Sequence, residues 1–228
     1  MWIANGSRAT ALALAFATSN ALGSNILFQD DFNDGNANGW QEFDGSFSVV
    51  GGEYHVKSNS FSNDARSVAG DPTWTDYVID VDFKQLDARA AAILFRVESI
   101  ESGTDAGRYY QFHVFPTFSG FCEMNFSGGN CNRLIDVSYS TPTNTWHHAR
   151  LVVDGNTATA YLDSNFVLSY SGFSGYPAGR IALKSINGVE NIYDNVVVSA
   201  IPIPAAVWLF GSAVGLAGAG VTRRRRPT

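Results

Sequence analysis

Between residues 24 and 200 this chain alternates apolar and polar side chains with a period of two, and that pattern leaves it few possible folds. Residues 76–84 show it most clearly: Tyr77, Ile79, Val81 and Phe83 point one way, and Asp76, Asp80, Asp82 and Lys84 the other. Similar segments recur at 25–32, 47–50, 54–57, 91–98, 108–115, 120–126 and 134–139, then at 146–153, 157–162, 166–169, 179–185 and 192–199. Turn formers separate them, such as Asn33-Asp34-Gly35, Gly51-Gly52, Asp154-Gly155-Asn156 and Asp163-Ser164-Asn165. Helical periodicity is nearly absent. A dozen strands without a helix predict an all-β antiparallel sandwich or barrel. An aromatic share of 13% supplies the bulk that two packed sheets need.

The two ends read differently from the middle. Arg8 precedes an apolar run at 9–17 and then small residues to Ser24, the order of a signal peptide cut after Ala21 or Gly23. At the other end, 205–221 holds no charge and Ser212 as its one polar side chain, and Arg223, Arg224, Arg225 and Arg226 follow. A helix of that length spans ~25 Å, against a bilayer core of about 30 Å. It reads as one C-terminal transmembrane helix, with the arginines in the cytoplasm and everything before Ile201 outside. The run Ile201-Pro202-Ile203-Pro204-Ala205, with Trp208-Leu209-Phe210-Gly211-Ser212 after it, closely resembles the PEP-CTERM sorting tail of Gram-negative bacteria, in its Val-Pro-Leu-Pro-Ala variant. That resemblance implies processing by an exosortase-type enzyme. The expected organisation is a signal peptide (1–23), one jelly-roll domain (24–200) and a sorting tail (201–228), delivered to the cell surface or extracellular matrix.

Without its two ends the chain keeps 10 basic residues against 21 acidic ones, a net charge of −11. Such a surface argues against nucleic acid and anionic lipid as partners. Cys122 and Cys131 flank a short Gly-Gly turn, and outside the reducing cytoplasm the expectation is a disulfide. Two thiols alone make neither a structural zinc set nor a redox Cys-x-x-Cys.

The order of short motifs is distinctive: Asp30-Asp31-Phe32, Gly39-Trp40, Gly51-Gly52-Glu53-Tyr54, Trp74-Thr75-Asp76-Tyr77 and Ile93-Leu94-Phe95-Arg96. Tyr109-Tyr110-Gln111-Phe112, Thr145-Trp146-His147, Ala160-Tyr161-Leu162-Asp163, Gly179-Arg180-Ile181-Ala182-Leu183 and Tyr193-Asp194-Asn195-Val196 complete it. Over about 170 residues this resembles the concanavalin A-like (laminin-G-like) jelly-roll domain of secreted bacterial proteins. The resemblance implies a two-sheet antiparallel sandwich and a structural Ca²⁺ where the first and last strands meet. Asp31 and Asp194 stand at those positions, with Asp30 and a carbonyl near Gly52–Glu53 as further ligands. A hard cation takes several oxygen ligands of this kind. The alternative is that Asp30 and Asp31 cap a strand edge and Asp194 begins a turn with Asn195.

For a ligand, the strands at 91–98, 108–115 and 120–126 are expected side by side on the concave sheet. Arg96, Gln111, His113 and Glu123 then cluster in a carbohydrate groove, with Tyr109 as a stacking ring, since a planar aromatic beside hydrogen-bonding groups suits a sugar. The alternative is a solvated sheet face with Arg96 paired to Glu123. His147 and His148 straddle one strand and cannot act together on a face. Glycosidases of this fold need paired carboxylates close together, and Asp80-Val81-Asp82-Phe83-Lys84-Gln85 lacks the glutamates. No nucleophile elbow, zinc helix or phosphate loop is present. The function expected from these readings is a non-catalytic, exported module that binds polysaccharide, the cell's own exopolysaccharide among the candidates. A structural matrix or adhesion module and a sugar-active hydrolase are the other two readings.

Overall fold

The computed structural model describes residues 25–103, 106–125 and 131–201. The expected signal peptide, the transmembrane helix and the sorting residues Pro202, Pro204, Trp208 and Arg223–Arg226 lie outside the described residues. Among the described residues fifteen strands run in order: β1 (Ile26–Asp30), β2 (Gln41–Phe43), β3 (Gly45–Val50), β4 (Glu53–Ser58), β5 (Ala65–Ala69), β6 (Tyr77–Gln85), β7 (Ala91–Glu101) and β8 (Ala106–Val114). Then come β9 (Phe118–Asn125), β10 (Asn132–Ser138), β11 (Trp146–Asp154), β12 (Thr157–Leu162), β13 (Asn165–Ser171), β14 (Arg180–Ser185) and β15 (Glu190–Ala200). All pairings are antiparallel.

Two sheets result, as the alternation requires. The first has the order β13-β12-β11-β6-β15-β4-β3, with β1 also paired to β15. The second runs β10-β9-β8-β7-β14-β5-β2. In β6 the alternation of Tyr77, Ile79, Val81 and Phe83 becomes a buried face, while Asp80, Asp82 and Lys84 stay partly exposed. Opposite them in the core lie Ile93, Phe95, Tyr110, Phe112, Phe121 and Leu183 from the second sheet. A buried aromatic side chain removes 150–250 Å² from water, so these rings carry much of the favourable burial.

Buried tyrosines need partners for their hydroxyls, and here the partners lie mainly on the opposite sheet. Tyr54 of β4 meets Ser67 Oγ of β5 at 2.7 Å. The hydroxyl of Tyr77 accepts the Arg96 N–H of β7 at 2.8 Å. Tyr193 of β15 donates to the Lys184 carbonyl of β14 at 2.6 Å. Burial pushes the phenols of Tyr54, Tyr77 and Tyr193 well above their usual range, so they stay neutral and able to donate.

Tyr193→Phe keeps the ring and removes the partner of the Lys184 carbonyl. It should cost about 1–2 kcal/mol, read as a shift in the denaturant midpoint with an unchanged slope.

Candidate functional site

Strands β9, β8, β7 and β14 are neighbours in the second sheet, and their registers decide which side chains meet. Residues directly opposed on antiparallel strands share a face. Tyr109 opposes Met124, Gln111 opposes Cys122 and Leu94, and His113 opposes Gly120 and Ala92. Ala92 in turn opposes Lys184, which opposes Arg66. These residues lie on the outer face, away from the core between the sheets.

Of the five residues expected in a groove, Tyr109, Gln111 and His113 share this face. Glu123 does not, because it opposes Tyr110, a core residue. It lies near the loop at Gly175, where an added Cβ would sit 2.7 Å from its Oε1. Arg96 also lies elsewhere. Its backbone takes φ 49°, a left-handed geometry that interrupts the alternation at a register shift between Phe95 and Ser99. The guanidinium turns to the end of the sandwich, donating to the carbonyls of Thr75 at 3.1 Å, Tyr176 at 3.4 Å and Gly155. Gly179 lets its loop close against this bulge, since a Cβ there would lie 2.4 Å from the Arg96 carbonyl carbon. Arg96 holds a corner together and is not paired with Glu123.

A cleft of about 220 Å³ opens on the outer face, lined by Gln111 and His113 together with Asp64, Phe115, Arg133, Lys184 and their neighbours. Both cysteines also line it, joined as a disulfide. Closing this short loop contributes roughly 2.5 kcal/mol on the chain-entropy account.

Two ion pairs face each other across the cleft. The Lys184 ammonium lies 2.8 Å from Asp64 Oδ2, and Asp64 Oδ1 accepts the Asn187 N–H at 3.0 Å. Arg133 donates to Asp136 Oδ2 at 2.6 Å, and Asp136 Oδ1 lies 2.7 Å from His113 Nε2. Gly120 makes the last contact possible, because a Cβ there would lie 2.1 Å from Asp136 Oδ1. Burial holds the His113 imidazole below its usual range, outweighing the hydrogen bond and charge of Asp136. The ring is therefore neutral at pH 7, with its Nε2–H donating to Asp136 and Nδ1 left as an acceptor. Gln111 Oε1 is buried and has no hydrogen-bond partner.

Tyr109 does not serve as a stacking ring. It is fully buried, and Lys184 Nζ lies 3.4 Å from its hydroxyl. The aromatic on the cleft is Phe115, stacked on Phe118 with centroids 4.4 Å apart. Sequence reasoning missed Phe115, Asp64, Arg133, Asp136 and Lys184. Lys184 carried one signal, as a cation directly after the apolar run Ile181–Leu183 of β14. His147 and His148 do point oppositely, His147 to Asp163 and the Pro142 carbonyl, His148 to Asp80 and Asp82 on the outer side of the first sheet.

The three aspartates expected to hold calcium do not assemble as a ligand set. Asp30 uses one oxygen on the Phe32 N–H and the other on Trp40 Nε1, both at 2.9 Å. Asp30, Asp31 and Asp34 line a cavity of about 330 Å³ beside Asn195, and Asp194 is not part of its wall. Hydrogen bonds from Asn33 lower the Asp31 carboxyl, whereas partial burial and then the charges of Asp82, Asp31 and Glu53 raise that of Asp194. Among the described residues no three His, Cys, Asp or Glu side chains are placed to hold a metal ion.

The His113 geometry sets a pH dependence. Its folded pKa lies below the ordinary 6.5, so the unfolded chain takes up the proton first as pH falls. The contribution to stability is complete above about pH 6.5 and is lost as pH drops through the folded value. Melting temperature should fall on going from pH 7 to 5, and His113→Gln should flatten that slope in thermal melts.

Comparison with known proteins bears on the fold. A search of curated proteins finds no match. Among solved structures the chain is similar to carbohydrate binding module CBM66 from Bacillus subtilis, at 19% identity and a TM-score of 0.61, over 72% of this chain and 98% of that one. It is also similar to the exoplasmic/lumenal domain of VIP36 in a Ca²⁺/Man-bound form, at 11% identity and 0.59, over 79% and 90%. A putative glycosyl hydrolase from Parabacteroides distasonis follows at 15% identity and 0.52, over 75% and 92%. These likenesses establish the galectin- and concanavalin A-like sandwich. Residues 27–199 match the family described as the 3-keto-alpha-glucoside-1,2-lyase-like domain, and the chain belongs to that family.

Proposed function

We propose that this protein binds carbohydrate in the outer-face cleft between Lys184–Asp64 and Arg133–Asp136. The observation that carries the reading is Gln111, a nearly buried side chain that lines the cleft and whose amide oxygen has no hydrogen-bond partner. A buried acceptor left unmade is costly, about 1–3 kcal/mol, and a ligand hydroxyl relieves it. Phe115 offers an apolar face beside it, and the charged pairs hold further polar atoms in fixed positions. The names of two similar structures, a carbohydrate binding module and a Man-bound lumenal domain, support the same class of ligand. Export stays part of the proposal: the disulfide suits an oxidising compartment, and the two ends carry the expected address, exosortase-type processing and membrane anchoring included.

The test is a glycan array probed with the full chain, followed by titration of the best binder. Gln111→Leu should weaken binding at least tenfold. Arg96→Ala should leave affinity unchanged while lowering the melting temperature, because it removes donors from buried carbonyls at a corner outside the cleft. Binding that ignores Gln111 and follows Arg96 contradicts the assignment; a protein that binds no glycan leaves the matrix or adhesion reading.

One observation favours a second reading, sugar chemistry in the same cleft. A neutral imidazole backed by a carboxylate is a competent general base. In a 3-keto-glucoside the carbonyl acidifies the C2 proton. Removal of that proton by His113, formation of the C1–C2 double bond and departure of the C1 oxygen with a proton make a 1,2-elimination. Incubation with 3-keto-trehalose should then release glucose and an unsaturated keto sugar, and His113→Gln should stop it. Release that persists in the variant excludes His113 as the base.

A further inference from the structure

The loop at 59–64 joins β4 to β5 and ends at Asp64, on the wall of the cleft. Hydrogen bonds close it from inside. The Ser58 hydroxyl lies 2.8 Å from the Ser60 carbonyl and 3.0 Å from that of Asn63. The Ser62 N–H donates to Ser60 Oγ at 3.0 Å. Two more bonds tie both ends of the loop to the turn of Asn187 and Gly188. Ser58 Oγ accepts the Gly188 N–H, and Asp64 Oδ1 the Asn187 N–H, each at 3.0 Å. Asn187 itself lines the cleft, so this loop and that turn together form one flank of its rim.

The loop carries Phe61, which is 77% exposed, more than any other large apolar side chain among the described residues. A single exposed ring means little by itself; its position gives it meaning. Phe61 stands three residues before Asp64, a span of at most ~11 Å. A Cβ added to Gly188 would lie 3.8 Å from its Cε2 and Cζ, so the ring sits against the turn, next to the residue that walls the cleft. The Arg89 guanidinium lies 6.0 Å from the ring centroid and brings N–H donors to the same place. An apolar plane beside a donor fork is what the C–H face and hydroxyls of a sugar ring take.

Resting on the sugar-binding reading, we infer that the Asn187 flank of the cleft continues over the turn into a second subsite at Phe61 and Arg89. One sugar ring occupies the cleft beside Gln111, and the next ring of the same glycan stacks on Phe61. The ligand class is then an oligosaccharide of two or more rings, and Phe61 is the residue that distinguishes it from a monosaccharide. Closure of the loop by its own hydrogen bonds holds the ring in place without ligand, which lowers the ordering cost of binding.

The experiment is calorimetric titration of the full chain with methyl α-D-glucopyranoside and with maltose, repeated with Phe61→Ala, Phe61→Trp and Gln111→Leu. The expected result is maltose binding at least ~5-fold tighter than the methyl glucoside. Phe61→Ala erases that advantage and leaves the methyl glucoside affinity unchanged, Phe61→Trp keeps it, and Gln111→Leu weakens both sugars. Melting temperatures of the two Phe61 variants match the parent, because the side chain is exposed. Equal affinity for the two sugars, a maltose advantage that survives Phe61→Ala, or an equal loss for both sugars in that variant overturns the inference. In each of those cases the cleft itself stands if Gln111→Leu still weakens binding. Binding that ignores Gln111→Leu, or no binding of either sugar, overturns the cleft reading together with the inference.

Discussion

The hydroxyls of Tyr54, Tyr77 and Tyr193 fix the two sheets against one another, and the site depends on that alignment. Apolar contacts between sheets are tolerant of sliding, whereas a hydrogen bond in a low-dielectric core is directional and expensive to leave unmade. Each of these rings reaches across the core to an atom of the second sheet. Tyr193 holds the carbonyl of Lys184 from behind, on the strand whose outer side presents that lysine to Asp64. Tyr77 holds the backbone of Arg96, where the strand leaves its regular pleat. The interior thus sets the position of a cleft with which it shares no surface.

The outer face shows what the sheet does with a polar row once its ends are covered. Arg66, Lys184 and His113 are all nearly or fully buried, each beside a carboxylate. Desolvating such groups is costly unless each is matched, and each is. The balance leaves a cleft in which each of these charges has a counterion. Rigidity of this kind suits recognition of a polyol, because the polar atoms are already oriented before the ligand arrives.

Much of the architecture was legible because a period of two is a local property. The alternation of β6, the β11–β12 turn at Gly155 and the disulfide across a Gly-Gly loop can all be read from neighbours in the chain. β5 was not, since Ala65-Arg66-Ser67-Val68-Ala69 is buried at every position and mixes polar with apolar on both faces. The site was legible only in part, for three separate reasons. Period-two counting placed Gln111 and His113 together correctly, because β8 is regular. It misplaced Arg96, because a left-handed residue reverses the parity beyond it, and nothing in Leu94-Phe95-Arg96 announces that φ. It misplaced Glu123, because parity within β9 does not reveal which parity faces out, and the register with Tyr110 decides it. Asp64 and Lys184 meet across 120 positions of sequence, so their pairing belongs to the topology.

The account rests on the claim that sugar sits against Gln111 and His113 and not at the Arg96 corner or on the outer side of the first sheet. Two-dimensional NMR of the full chain titrated with maltose tests this most directly. The account predicts that the largest shifts fall on the Gln111 side-chain amide and on the backbone of His113, Phe115, Arg133 and Asn187. Shifts centred instead on Thr75, Arg96 and Gly155, or on His148, Arg150 and Tyr161, would contradict it.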